Sequence, residues 1–187
     1  MATRVTFLCA AATALSRVGA FPDRHVPLDD GGRRKAAALR LDRARWDRIV
    51  TSPDRAATDT LAAFGLPGEI DAAVADMDFG VWAGRSFDVI AADDSAPLAA
   101  WFADPASAAP GGETLEAVRV RAGAWLDRLV DAPCTMLVVS HAAVLRGAIA
   151  HVLAVPMAAT LAIDVAPLAT LVVSHHGRWR MQELTGA

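Results

Sequence analysis

Cysteine is scarce in this 187-residue chain: there are two, Cys9 and Cys134, far apart in sequence. That number and spacing exclude a disulfide framework and a cysteine-based metal site. Both lie beside expected strands and read as reduced, buried thiols, the state proper to a cytoplasmic protein. An excess of charge is lacking too. A formal net charge of −3 gives no electrostatic case for nucleic acid or anionic membrane as a partner. No apolar run is long enough and free enough of charge to span a bilayer. Internal repeats and linkers are absent. Over half of the residues are hydrophobic, but much of that is alanine, which favours helix while burying little area. The histidines show no metal-ligand spacing: His25, His151 and the tandem His175-His176 read as structural or exposed, so no metal and no cofactor is expected.

One stretch imitates a secretory leader. Arg4 is followed by a nearly unbroken run of apolar and small residues from Val5 to Leu15, and Val18-Gly19-Ala20 could serve as a cleavage site. Removing residues 1–20 would delete the first strand from the centre of a sheet, so the expectation is a retained segment and a cytoplasmic protein.

What is present is an α/β pattern. Arg4–Leu8 and Arg48–Thr51 read as strands. Thr135-Met136-Leu137-Val138-Val139-Ser140 reads as a buried strand that delivers His141 to the start of an apolar helix reaching about Val155, where Pro156 stops it. Helices are expected from Gly31 to about Ala44, from Pro53-Asp54 to near Gly65, and from Thr114, a potential cap, to Val130. Two late strands, near Leu168–Ser174 and Arg178–Leu184, close on a His-His-Gly turn. Residues 70–112 read as an irregular, lid-like insertion with short helices. The expected architecture is one domain over residues 1–187, a three-layer α/β/α sandwich around a mostly parallel sheet. Ligands in such sheets sit at the carboxyl ends of strands, where helix N-termini favour anions.

Several segments, taken in order, resemble the histidine phosphatase (phosphoglycerate mutase-like) superfamily. Asp23-Arg24-His25-Val26-Pro27-Leu28 with Gly31 or Gly32 is similar to its D-x-P-L-T-x-x-G segment. Ile49–Pro53 before Arg55–Thr60 is similar to its second strand and following helix. Asp76-Met77-Asp78-Phe79-Gly80-Val81-Trp82-Ala83-Gly84 resembles E-x-D-F-G-x-W-E-G, Pro110–Thr114 resembles P-G-G-E-S, and Val138–His141 resembles the second histidine motif. The resemblance implies a phosphate-ester site without a cofactor, and it places Cys9, Ala10, Thr13, Ser52, Arg55, Asp76, Glu113, Ser140 and His141 around it. His141 would donate to phosphoryl oxygens, and Asp76 would be the general acid.

The departures decide the functional expectation. The family's Arg-His-Gly, whose histidine is phosphorylated, corresponds here to Cys9-Ala10-Ala11. Its second phosphate arginine falls on Ala56, with Arg55 one residue early. A methyl group cannot attack phosphorus, and losing a nucleophile costs orders of magnitude in rate. The reading is therefore a degenerate member, a pseudo-phosphatase that is non-catalytic or retains weak affinity for phosphate or a small phosphate ester. An active phosphomonoesterase or hydrolase, similar to α-ribazole phosphatases and using Cys9, His141 or a water activated by Asp76, stays open, as does a structural subunit of a homo-oligomer. Each residue has a plainer role beside it. Cys9 should point away from its neighbour and serve as packing, Glu113 could serve the following helix, and Asp78 and Trp82 could hold their loop together. Arg17 and Arg146 are candidates for the missing cation, Arg146 more simply as part of a structural ion pair.

Overall fold

The computed structural model describes residues 2–39 and 45–186. The apolar, β-branched runs form β1 (Thr3–Cys9), β2 (Arg48–Thr51), a short β3 (Glu69–Ile70), β4 (Thr135–Ser140), β5 (Thr170–His175) and β6 (Trp179–Thr185). They make one sheet in the order β3-β2-β4-β1-β5-β6. The first four strands in that order run parallel, while β5 and β6 are antiparallel additions at one edge. A tight connection permits only an antiparallel pair, and the turn through His176 and Gly177 provides one.

Helices cover both faces. They are α1 (Ala14–Arg17), α2 (Asp30–Ala38), α3 (Arg55–Ala63), α4 (Phe87–Asp93), α5 (Ser95–Ala103), α6 (Leu115–Asp127), α7 (Ala142–Leu153) and α8 (Met157–Thr160). Alternation along the strands sorts the core into two layers. Val5, Phe7 and Cys9 share a cluster with Met136 and Val138 of β4, Val118, Trp125 and Leu126 of α6, and Val144, Leu145 and Ile149 of α7. Leu8 and Ala10 belong to the other face, with Leu137, Val139, Ala36 of α2, and Ala57 and Leu61 of α3. The first layer holds more of the large side chains, each worth about 1.5–3 kcal/mol when fully buried. The second is smaller, with alanines interleaved among Leu8, Ile49, Leu61 and Leu137. β1 pairs with β4 on one side and β5 on the other, so loss of residues 1–20 would remove an interior strand.

Two features differ from expectation. The helix expected over 31–44 is α2, which closes at Ala38 with Leu39 extended; positions 40–44 lie outside the described residues. The 70–112 insertion is more ordered than irregular. It carries 3₁₀ turns at 72–74 and 80–82 as well as α4 and α5, and it packs on an aromatic cluster. Phe21 sits 4.4 Å from Phe87, 5.2 Å from Trp82 and 5.4 Å from both Phe79 and Trp101, measured between ring centroids. Trp82 is fully buried and its Nε1 donates to Asp94 at 3.1 Å. Asp78 holds the turn as anticipated, accepting from the Gly80 N–H at 2.9 Å, while its own carbonyl accepts from Glu113 N–H at 2.7 Å. Gly80 has φ +50°, and a Cβ there would lie 2.2 Å from the Pro110 carbonyl oxygen, so the Asp-Phe-Gly turn meets the Pro-Gly-Gly turn at a spacing only glycine permits. Among the described residues, no helix is long and apolar enough to cross a membrane.

Candidate active site

The site forms where β1, β2 and β4 end and the chain turns into helices. β4 finishes at Ser140, whose buried hydroxyl donates to the Val74 carbonyl at 2.7 Å and ties the strand end to the insertion. The next residue, His141, is the extended N-cap of α7 and makes no side-chain cap bond. That frees its ring to face inward.

The ring is held between two carboxylates. Nδ1 lies 3.4 Å from Asp76 Oδ2 and Nε2 lies 3.4 Å from Asp54 Oδ2. Nε2 is also 3.2 Å from Ser52 Oγ. The Ser52 hydroxyl donates to Asp54 Oδ2 at 2.6 Å, and the Asp76 backbone N–H donates to the same oxygen at 2.7 Å. Arg24 Nε stands 3.8 Å from Asp54 Oδ1. Burial favours a neutral imidazole, but Asp76 and then Asp54 more than offset this, and the His141 pKa rises. Burial likewise works against a charged Asp54. Hydrogen bonds from His141, Ser52 and the Asp76 N–H overcome it and hold that carboxyl far below its ordinary value. Asp76 moves the other way: burial raises it, His141 offsets part of the rise, and the neighbouring Asp54 charge adds to it.

These groups open on a cavity of about 440 Å³ whose wall includes Cys9, Ala10, Ala12, Thr13, Arg24, Asp54, Asp76 and His141. The expected juxtaposition of Ala10 and His141 on one hollow is therefore present. Thr13 caps α1 while lining the wall, accepting from the Ser16 N–H. Cys9 is buried, and burial followed by the Asp76 charge pushes its thiol up to about 12, with Arg146 opposing. At neutral pH it is a thiol, not a thiolate.

Four residues placed at the site by resemblance do not line the cavity. Ser52 is fully buried beneath Asp54, so the order Ser52–His141–Asp76, which has the sequence of a hydrolase relay, lacks an accessible nucleophile. Ser140 is a strand anchor. Arg55 points outward to Asp59 at 2.7 Å, because the first turn of α3 puts it on the solvent side. Glu113 pairs in two-pronged fashion with Arg121, at 2.8 and 3.0 Å. Arg121 also donates to the carbonyls of Ala73 and Asp76, each at 3.0 Å, so Glu113 acts on the site through the backbone that carries Asp76. Neither candidate cation fills the gap. Arg17 is taken by Asp29. Arg146 lies off the cavity wall, donates to the Ile163 carbonyl at 3.0 Å, and makes no ion pair among the described residues. Asp54 is the residue missed in sequence. An acid at the start of a helix reads as a cap, yet Asp54 makes no cap bond. Its position directly after Ser52-Pro53 was the available signal.

Comparison with known proteins places this geometry. The profile described as Histidine phosphatase superfamily (branch 1) matches residues 9–185. The chain belongs to the histidine phosphatase superfamily. It is 32% identical over 149 residues to the Bifunctional protein Rv2228c of Mycobacterium tuberculosis, a match covering 74% of this chain and 41% of that one; the chain thus spans less than half the length of the curated relatives it matches. Among solved structures, a mycobacterial glucosyl-3-phosphoglycerate phosphatase in complex with VO3 superposes with a TM-score of 0.84 at 25% identity, covering 96% of this chain and 97% of that one. The α-ribazole phosphatase of Shigella flexneri shares the fold, with a TM-score of 0.88 at 22% identity over 98% and 96% of the two chains.

Proposed function

We propose that this histidine phosphatase-family chain does not carry out phosphohistidine chemistry and works as a binding or scaffolding domain. The observation that carries this reading is the cavity floor. At the end of β1, where the family resemblance puts the phosphorylated histidine, there is the methyl group of Ala10. Phosphoryl transfer needs an in-line nucleophile and cationic or N–H clamps on the phosphoryl oxygens. The adjacent thiol is held protonated, the resemblance puts Ala56 at a clamp arginine, and Arg55 is turned to Asp59. Cytoplasmic placement belongs to the same reading.

A second reading draws on one observation. Asp76 is a cavity carboxyl whose pKa is raised and whose partner is His141, the properties of a general acid or base that could activate water. Its substrate would then be a small phosphate ester, in keeping with the glucosyl-3-phosphoglycerate and α-ribazole phosphatases that share the fold. Assay of the full chain with p-nitrophenyl phosphate from acidic to alkaline pH separates the two. Turnover at the uncatalysed background is expected. Turnover well above it that disappears in both His141→Ala and Asp76→Asn would overturn the non-catalytic reading in favour of the hydrolase.

A further inference from the structure

A cavity that captures phosphate turns converging donors on the anion's oxygens. Here the donors converge, but the acceptor is already built in. Asp54 Oδ2 receives the Ser52 hydroxyl at 2.6 Å and the Asp76 N–H at 2.7 Å, and faces His141 Nε2 at 3.4 Å. The Arg24 guanidinium approaches Oδ1 at 3.8 Å. The Asp54 side chain is 5% exposed, against 58% for Arg24, so the carboxylate is the buried centre of this set and not a surface group that drifts into it. Helix capping does not account for its position, since Asp54 stands at the N-cap of α3 and gives no side-chain bond to that helix.

We propose that Asp54 is a built-in anion that occupies the oxyanion seat of this site and excludes phosphate from it. The assignment rests on the non-catalytic reading and deepens it by naming the residue that sets ligand choice. With the His141 ring flanked by Asp54 and Asp76, an incoming phosphate would meet the buried Asp54 charge and a ring already engaged on both nitrogens. Like charges at such separations, in a partly desolvated site, are strongly repulsive. Ala10, Ala12, Met77, Phe79 and Val165 make much of the remaining wall apolar, while Asp23 and Asp78 add further acids to a polar part that also holds Thr13, Ser16 and His25, so the cavity suits an uncharged ligand better than an anion.

The test compares the full wild-type chain with Asp54→Asn and Asp54→Ala, each titrated with inorganic phosphate and with orthovanadate by calorimetry, folding being checked by circular dichroism. Asparagine keeps the carbonyl that accepts from the Asp76 N–H and removes the charge. The wild type is expected to give no saturable binding. Asp54→Asn should gain saturable phosphate binding, an increase of about tenfold or more over the wild-type limit. The proposal is overturned if the folded variants bind no better than wild type, or if the wild type already binds as tightly. Should both variants fail to fold, the His141 ring resonances of the wild type decide: phosphate that leaves them unmoved supports the assignment, and phosphate that shifts them overturns it. Turnover of p-nitrophenyl phosphate by the wild type would sink the non-catalytic reading. Failure of Asp54→Asn to gain phosphate sinks the Asp54 assignment alone.

Discussion

The two walls of the cavity have had different fates. Behind the β4–α7 wall and along the insertion, polar groups are buried or half-buried, paired and tied to one another: Ser140 to Val74, Arg121 to Glu113 and to two backbone carbonyls, Trp82 to Asp94. On the β1 side the wall is Cys9, Ala10, Ala11 and Ala12, side chains that ask nothing of their surroundings. A buried polar network must be kept whole, because removing one member strands the others unsatisfied. A group whose only partner was a ligand leaves no such debt when it becomes alanine. The contrast therefore separates residues held by folding from residues that only chemistry would hold.

The largest effect expected from that contrast is at Arg121. Arg121→Ala strips Glu113 of its partner and leaves the Ala73 and Asp76 carbonyls without their donor. This should cost about 2–3 kcal/mol, below the value for a fully buried pair because both side chains retain some exposure. Ala10→Ser, on the opposite wall, should change stability by about 0.5 kcal/mol or less. Urea unfolding of the two variants measures both. If Ala10→Ser costs as much as Arg121→Ala, the division between the walls fails.

The same division explains what could be read from sequence. The strand–His141–helix unit was legible because a continuous β-branched run followed by an apolar helical run fits few other structures, and the sheet order follows once β1, β2 and β4 are placed in parallel. The insertion was undervalued because its order comes from Phe21, distant in sequence, around which Phe79, Trp82, Phe87 and Trp101 gather. Within the site, Cys9, Ala10, Thr13, Asp76 and His141, placed by the family resemblance, line the cavity because strand ends and local turns carry them there. Glu113 and Ser52 were one layer too deep, since spacing in sequence does not tell a wall residue from the residue that supports it. Asp54 escaped because helix capping, a local explanation, was sufficient for an acid at that position, and only the three-dimensional approach of His141 shows that the cap is unused.

A smaller effect concerns the proton on His141. Its folded pKa is raised above the unfolded value, so between those two values the folded chain binds more protons than the unfolded one, and stability must fall as pH rises through that window. The imidazolium faces Asp76 from the insertion and Asp54 from the start of α3, with the Arg121 charge opposing from α6. Asp76, raised as well, has the same sign, whereas depressed Asp54 adds stability that disappears only on strong acidification. Wild type is thus expected to lose stability from mildly acidic to alkaline pH. His141→Gln should flatten the slope above neutrality. An unchanged slope in that variant would mean that the carboxylates on this wall do not hold the ring in its charged form.

The smallest effect bears on the stripped wall and on the last candidate nucleophile there. With its thiol pushed up to about 12, Cys9 presents only about one part in ten thousand as thiolate in mildly alkaline buffer, and it is buried besides. Cys134 is raised too, by burial first, but it is partly exposed and Arg48 opposes the shift. Iodoacetamide on the native chain should therefore label Cys134 first and reach Cys9 only when denaturant opens the fold, as peptide mapping by mass would show. Cys9→Ala should cost about 1 kcal/mol, the value of a small buried side chain, and leave turnover at background. Rapid labelling of Cys9 in the native state would mean that the thiol is reachable and ionised. The alanine-lined wall would then carry a reactive group after all, and the separation of folding residues from chemical ones would have to be redrawn at that position.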